Sequence, residues 1–78
     1  MKRKRDVPDA IREKVTQIGQ RIATLRKAKS LSRERLAYSI GISKSFLGYI
    51  ELGQANPTVE TLYLIADGLD CNVTQFFQ

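Results

Sequence analysis

Three side chains that can hydrogen-bond to another molecule lie close together in the middle of the chain. Lys44 offers N–H donors, the Ser45 hydroxyl donates or accepts, and Tyr49 combines a hydroxyl with an aromatic ring. These groups suit the edges of DNA bases: a lysine can donate to guanine O6 and N7, and an apolar surface can pack on a thymine methyl group. Other interpretations remain open, namely a solvated lysine, a serine that only caps a helix, and a tyrosine lying on the protein surface.

The residues around this cluster have the types needed to place it on the second of two crossing helices. Ala37 is small enough for two helices to cross closely, and Gly41 suits the left-handed backbone where the chain reverses. Ser43 is a good N-cap, so a new helix can begin at Lys44 after a short turn. Apolar residues between these positions supply a shared core. The stretch from about 33 to 52 therefore predicts a helix-turn-helix.

The chain resembles the Cro/repressor-type helix-turn-helix family, also called the XRE family, from about Ile18 to Phe77. Motifs on both sides of the turn carry the resemblance: Ile18-Gly19-Gln20-Arg21-Ile22, Leu25-Arg26, Ile50-Glu51-Leu52-Gly53, Asn56-Pro57-Thr58 and Ile65-Ala66. The resemblance implies an all-α, compact five-helix lambda-repressor-like DNA-binding domain over residues 8–78, with an N-terminally extended first helix. Residues 1–7 form a flexible basic arm in this scheme.

The resemblance also implies roles for individual residues. The third helix enters the major groove, and Lys44, Ser45 and Tyr49 contact the base edges. Contacts to the DNA backbone are expected from the flanking positions Arg33, Ser43, Gly48, Gln54 and Asn56. Gly48 is open to a second interpretation as a tolerated neutral position in the helix. Arg26 and Glu51 match a pair of residues that forms a structural ion pair in this family.

The charge of the chain is distributed unevenly. All 13 Lys and Arg residues lie within residues 1–44, where four acidic residues leave a net charge of +9, and the remainder carries −4. A basic side can lie against phosphates and release counterions, whereas an acidic side held near the same duplex would be repelled. The Lys2–Arg5 arm could follow the minor groove or remain a solvated tail.

Local signals predict where the helices begin. The first helix is expected to begin near Pro8 or Asp9, with Asp9 as a cap, and an apolar stripe runs along it at Ile11, Val15, Ile18, Ile22 and Leu25. The segment 8–17 either lengthens this helix or forms a separate short helix, in which case Gly19 is the break. Ser32, Ser43 and Thr58 are expected to cap the next three helices. Asn72 and Gln75 make a capping pair for a last short helix, and Asp70 stands where the family commonly has glycine.

Proteins of this plan usually bind near-palindromic sites as twofold dimers, because one reading helix contacts little DNA. Leu64 and Phe77 could form an exposed apolar patch that pairs across the dimer axis, or could pack in the core. Cys71 stands where the family has an apolar residue, which favours a buried, inert thiol over a redox sensor. A homodimer is therefore expected.

Composition excludes several other classes of protein. With no His and one Cys, a structural zinc site lacks ligands, and no internal disulfide can form. No catalytic constellation or cofactor-binding loop is recognisable, so we expect no enzyme, metal or cofactor. No apolar run approaches the roughly 18–20 residues that span a bilayer, which predicts a cytoplasmic protein.

Two functions follow as hypotheses. The first is a homodimeric transcriptional regulator, of repressor or controller type, that binds a specific double-stranded operator. The alternative is an antitoxin or adaptor that binds a protein partner through its acidic C-terminal half.

Overall fold

A computed structural model describes residues 6–78 of the chain. In this range four α-helices follow one another: α1 Asp9–Ala28, α2 Arg33–Ile40, α3 Lys44–Glu51 and α4 Val59–Gly68. A 3₁₀ helix, Val73–Phe77, ends the chain. Residues 6–78 contain no strand.

The all-α class is confirmed, whereas the count of five α-helices is wrong, because the last element has 3₁₀ geometry. The basic segment 1–5 lies outside the described residues, so the expectation for the arm rests on sequence.

One hydrophobic core joins these elements. Its buried apolar residues come from every helix: Ile22, Leu36, Ala37, Leu47, Ile50, Ile65, Ala66, Leu69 and Phe76. The helix α1 packs on α3 and on the 3₁₀ helix, while α2 packs on both α3 and α4. Ala37 is 1% exposed, as expected of a small residue where α2 meets its neighbours. Burial on this scale is the main force that holds so short a chain folded.

Helix α1 is continuous over 20 residues, so the predicted N-terminal extension of the first helix is confirmed, and the alternative of a separate short helix broken at Gly19 is wrong. A Cβ at Gly19 would collide with the carbonyl oxygen of Ile50 and lie 2.8 Å from that of Glu51. The glycine therefore permits close approach of α1 to the C-terminal end of α3. The predicted cap at Asp9 is also wrong: Pro8 occupies the N-cap position without a side-chain hydrogen bond, and Asp9 begins the helix.

The apolar stripe of α1 is confirmed in its C-terminal part. Ile22 is fully buried, and Ile18 and Leu25 pack against the core. Ile11 is half exposed because the first turns of α1 extend beyond the core helices. The N-terminal extension of α1 therefore leaves a surface that the short core does not cover.

The other three α-helices begin at the predicted caps. Ser32 Oγ accepts a hydrogen bond from the Arg35 amide at 3.0 Å, and Ser43 Oγ accepts one from the Phe46 amide at 3.0 Å. Thr58 Oγ1 does the same for the Thr61 amide at 3.1 Å. Each bond satisfies an amide that has no partner within its own helix.

The ends of the helices also agree with local sequence signals. Gly41 has φ +79° at the end of α2, and the Ile42 amide donates to Ala37 O at 3.0 Å, which closes the helix and turns the chain. Asp70 adopts φ +53° after α4, in the left-handed region that glycine favours. Asn72 and Gln75 form the predicted reciprocal cap of the 3₁₀ helix.

Candidate nucleic-acid interface

The helix α3 turns one face to the core and the other to the surroundings. Leu47 is 0% and Ile50 2% exposed, whereas Lys44, Ser45 and Tyr49 are exposed. Phe46 is half-buried against the core. The two exposed residues at the start of α3 lie directly after the turn at Gly41. The helix-turn-helix geometry thus presents the N-terminal turn of α3 and the ring of Tyr49 on the surface of the protein.

The residues predicted from sequence to contact the DNA backbone fall into two groups. Gln54 and Asn56 are exposed in the loop that joins α3 to α4, and Ser43 is exposed just before α3. Gly48 lies on the same helix, one residue before Tyr49, and is partly exposed. Arg33 stands at the other end of the motif, as the first residue of α2. In the sequence these residues lie before, within and after α3, and none of them is fully buried.

The Arg26 and Glu51 side chains form a buried ion pair between α1 and α3. Arg26 Nε donates to Glu51 Oε2 at 2.6 Å, and Arg26 Nη2 donates to Oε1 at 3.1 Å. The two side chains are 7% and 2% exposed. Arg26 Nη1 also donates to the carbonyl oxygen of Leu31 at 2.8 Å, in the connection between α1 and α2. This bidentate arrangement ties α3 to α1, and the bond to Leu31 adds the connection between α1 and α2.

A second arginine reaches the same carboxylate, which the sequence did not indicate. Arg33 Nε donates to Glu51 Oε1 at 3.1 Å, with the Arg33 side chain 39% exposed. The Arg33 side chain also lies beside Gly48, since a Cβ built there would be 3.6 Å from Arg33 Cδ. Arg33 and Glu51 are 18 positions apart in the sequence. Spacing rules within one helix could not have predicted this contact, because the two residues lie on different helices.

The C-terminal third of the chain exposes several large apolar side chains. Leu64 is 42% and Phe77 61% exposed, so the interpretation that both are ordinary core residues is wrong. Val59 and Tyr63, one turn apart on α4, are also exposed, at 67% and 60%. These two residues were not predicted from sequence, although their four-residue spacing places them on one face of a helix. Helix α4 therefore has exposed apolar side chains in addition to those that pack in the core.

Cys71 is partly buried and packs against the core, near the start of the 3₁₀ helix. Burial raises the pKa of the Cys71 thiol, and Asp70 raises it further, while Lys29 opposes both effects. A thiol of this kind is a weak nucleophile at neutral pH. Its environment therefore gives no support to a redox role.

Residues 6–78 contain no cluster of three or more side chains suited to hold a metal ion. No helix in the same range is long and apolar enough to cross a membrane.

Comparison with known proteins identifies the class of domain to which this geometry belongs. The family model described as helix-turn-helix matches residues 22–76, from the middle of α1 to the 3₁₀ helix. The chain therefore belongs to the helix-turn-helix family, of the XRE or Cro/repressor type. This is a DNA-binding family and not a family of enzymes.

Individual relatives give the same assignment. The chain is 44% identical over 52 residues to the HTH-type transcriptional regulator SutR of Escherichia coli, a match that covers 67% of this chain and 29% of SutR. The crystal structure of the restriction-modification controller protein C.AhdI from Aeromonas hydrophila superposes with a TM-score of 0.79 at 36% identity, covering 81% of this chain and 96% of C.AhdI.

A third relative was crystallised with DNA. The restriction-modification controller protein C.Esp1396I, as a tetramer on its natural 35 base-pair operator, matches with a TM-score of 0.73 at 28% identity. The match covers 81% of this chain and 83% of that protein. The chain thus spans most of the length of the two controller proteins and less than a third of SutR.

Proposed function

We propose that this chain is a transcriptional regulator, of repressor or controller type, that binds a specific double-stranded operator through α3. The observation that carries the proposal is the two-sided burial of α3: Leu47 and Ile50 fix the helix on the core, while Lys44 and Ser45 stand exposed at its N-terminal end. The similarity to C.Esp1396I, which was crystallised with its operator, supports the same function.

In the proposed complex the exposed face of α3 enters the major groove. Lys44 donates to guanine O6 or N7, Ser45 contacts a neighbouring base edge, and Tyr49 packs on a thymine methyl group or bonds to a phosphate. Each good contact of this kind contributes about 1–3 kcal/mol of discrimination between bases. Helix α3 has eight residues and therefore contacts only a few base pairs.

Phosphate contacts in this scheme come from both sides of the reading helix. Ser43 precedes it, Gln54 and Asn56 follow it, and Gly48 lets the helix backbone approach the duplex closely. The excess of basic residues before position 45 adds a charge attraction that does not depend on DNA sequence. In this scheme the operator-binding side is basic, and α4, which carries Glu60 and Asp67, faces away from the phosphates.

A homodimer on a near-palindromic site completes the proposal. Leu64 and Phe77, exposed on two elements that pack on each other, are proposed to lie at the dimer interface. Sedimentation of Leu64→Lys should then give a lighter species than the natural chain at equal concentration. Tyr38→Ser serves as the control, since Tyr38 is 88% exposed on α2 and its replacement should leave the sedimentation unchanged. Equal sedimentation of all three would contradict this interface.

Selection of bound oligonucleotides from a random pool, at two salt concentrations, tests the DNA-binding function. The proposal predicts an enriched motif with twofold symmetry. If about five phosphates per subunit are neutralised, log affinity should fall against log salt with a slope of roughly −4 to −5 per subunit. A shallow slope with no enriched motif would contradict operator binding.

A second candidate is an antitoxin or adaptor that binds a protein through the C-terminal half. The exposed apolar side chains of α4, beside Glu60 and Asp67, favour it as an alternative use of the same surface. Capture of one small partner by the natural chain, lost in Leu64→Lys while DNA binding by the monomer persists, would support this candidate over the homodimer.

A further inference from the structure

The carboxylate of Glu51 accepts three hydrogen bonds from two arginines. Arg26 supplies two of them, at 2.6 and 3.1 Å, and Arg33 Nε supplies the third, at 3.1 Å. Oε1 is shared between Arg26 Nη2 and Arg33 Nε. Two guanidinium groups thus surround one carboxylate, so the cluster keeps one excess positive charge. Because Arg26 is buried and Arg33 is 39% exposed, that charge is accessible on the Arg33 side.

The bond from Nε determines how the Arg33 guanidinium is oriented. This group is planar and has five N–H donors in a fixed geometry. With Nε turned to Glu51, the four N–H groups on Nη1 and Nη2 remain, and within residues 6–78 no group accepts a hydrogen bond from them. The free end of the group is therefore a fork of parallel donors, which matches two oxygens of one phosphate.

Helix α3 supports the Arg33 side chain along its length. Lys44, Gly48 and Glu51 follow one another at spacings of four and three residues, so they share one side of α3. Arg33 Cδ, Nε and Nη1 lie 3.6, 3.8 and 4.0 Å from the position of a Cβ at Gly48. The side chain thus lies over this side of α3, beside Gly48, with Nε bonded to Glu51.

We propose that Glu51 is a positioning residue for DNA recognition: it holds Arg33 so that the guanidinium fork grips a single backbone phosphate and fixes the register of α3 in the groove. This inference rests on the proposed operator binding and goes beyond it, because it gives the ion-pair carboxylate a second task. A contact to phosphate carries no sequence information directly. It places Lys44 and Ser45 opposite the right base pair, and so raises discrimination.

Arg33→Lys separates geometry from charge, since lysine keeps the charge but is a point donor without Nε or a fork. The expected result is operator affinity about tenfold weaker, an unchanged slope of log affinity against log salt, and a smaller ratio of operator to non-operator affinity. Arg33→Gln removes the charge, and its slope should be less steep by about one. The control is Arg35→Lys, an exposed arginine of the same helix, which should behave as the natural chain.

The orientation itself is tested in the natural chain by NMR of the arginine side chains, without DNA and with the selected operator. Arg33 Nε–H should exchange with solvent more slowly than Arg35 Nε–H in the free protein, and operator should shift the Arg33 Nη resonances. Equal exchange of the two Nε–H groups, or natural operator affinity and discrimination in Arg33→Lys, would overturn the inference while leaving operator binding intact. Failure of the natural chain to bind any selected DNA would instead overturn both proposals.

Discussion

Gly19 of α1 lies directly against the carbonyl oxygen of Ile50 in α3, so closely that a Cβ at this position would overlap it. The next carbonyl, that of Glu51, would be 2.8 Å away. Both oxygens belong to the backbone of α3 and cannot rotate aside as a flexible side chain would. The contact seats the C-terminal end of α3 on α1, next to the ion pair of Arg26 and Glu51.

Gly19→Ala should therefore destabilise the protein, although alanine is the better helix former. Separation of α1 from α3 should lower the free energy of unfolding by about 1–3 kcal/mol, as measured by urea denaturation. Gly48→Ala is the matched control, since its Cβ would make ordinary contacts at 3.6 Å and beyond. That change should raise stability by up to about 1 kcal/mol. If both glycines responded alike, the close approach at Gly19 would be disproved.

The turn between α2 and α3 depends on the backbone conformation of Gly41. Its φ of +79° lies in the left-handed region, and a Cβ would meet no atom within 4 Å, so any cost of substitution is conformational. Gly41→Ala should lower stability by about 1–2 kcal/mol. Gly41→Asn should cost less, because asparagine tolerates this region better. Thermal unfolding, followed by circular dichroism, would rank the melting temperatures of the natural chain, Gly41→Asn and Gly41→Ala. A Gly41→Ala variant as stable as the natural chain would contradict this account.

The ion pair of Arg26 and Glu51 is expected to be needed for folding stability. In Arg26→Met the carboxylate of Glu51, which is 2% exposed, keeps only the partly exposed Arg33 as a partner. Breaking a buried pair from one side typically costs about 3–5 kcal/mol. The midpoint of urea unfolding should fall accordingly. Lys27→Met, at the exposed neighbouring position of α1, should leave the midpoint close to that of the natural chain.

The raised pKa of Cys71 predicts slow alkylation. Burial, the largest cause, keeps the sulfur protonated to a higher pH than in a free cysteine, so the reactive thiolate is scarce at pH 8. Iodoacetamide should label Cys71 more slowly than it labels free cysteine at that pH. The thiol's contribution to stability is present at neutral pH and is lost as pH rises through the raised pKa. Labelling as fast as free cysteine would show that the thiol is not shielded.

The features that were predictable from sequence are local ones. Ser32, Ser43 and Thr58 accept hydrogen bonds from amides three residues ahead, and Gly41 turns the chain by its own backbone angles. A serine or glycine in a short window is enough to predict such a feature. The same window placed Lys44 and Ser45, the proposed base-contacting residues, in the first turn of α3, because they follow the cap directly.

The features that sequence did not predict depend on partners far along the chain. Glycine usually weakens a helix, yet Gly19 lies inside α1 and packs against the backbone of Ile50, which is 31 residues further along the chain. Arg33 was expected to contact phosphate alone, and its bond to Glu51 emerges only when α2 and α3 are packed together. The 3₁₀ geometry of Val73–Phe77 likewise cannot be told from a short α-helix by its capping residues.

The central claim is that the exposed N-terminal turn of α3 reads DNA sequence, and the most direct test is the affinity of Lys44→Ala/Ser45→Ala for the operator selected by the natural chain. Fluorescence anisotropy at fixed salt, with operator and scrambled duplexes, would measure it, and circular dichroism would check that the fold is retained. We predict that the folded double variant binds both duplexes with similar, weak affinity. Unchanged preference for the operator would contradict the claim.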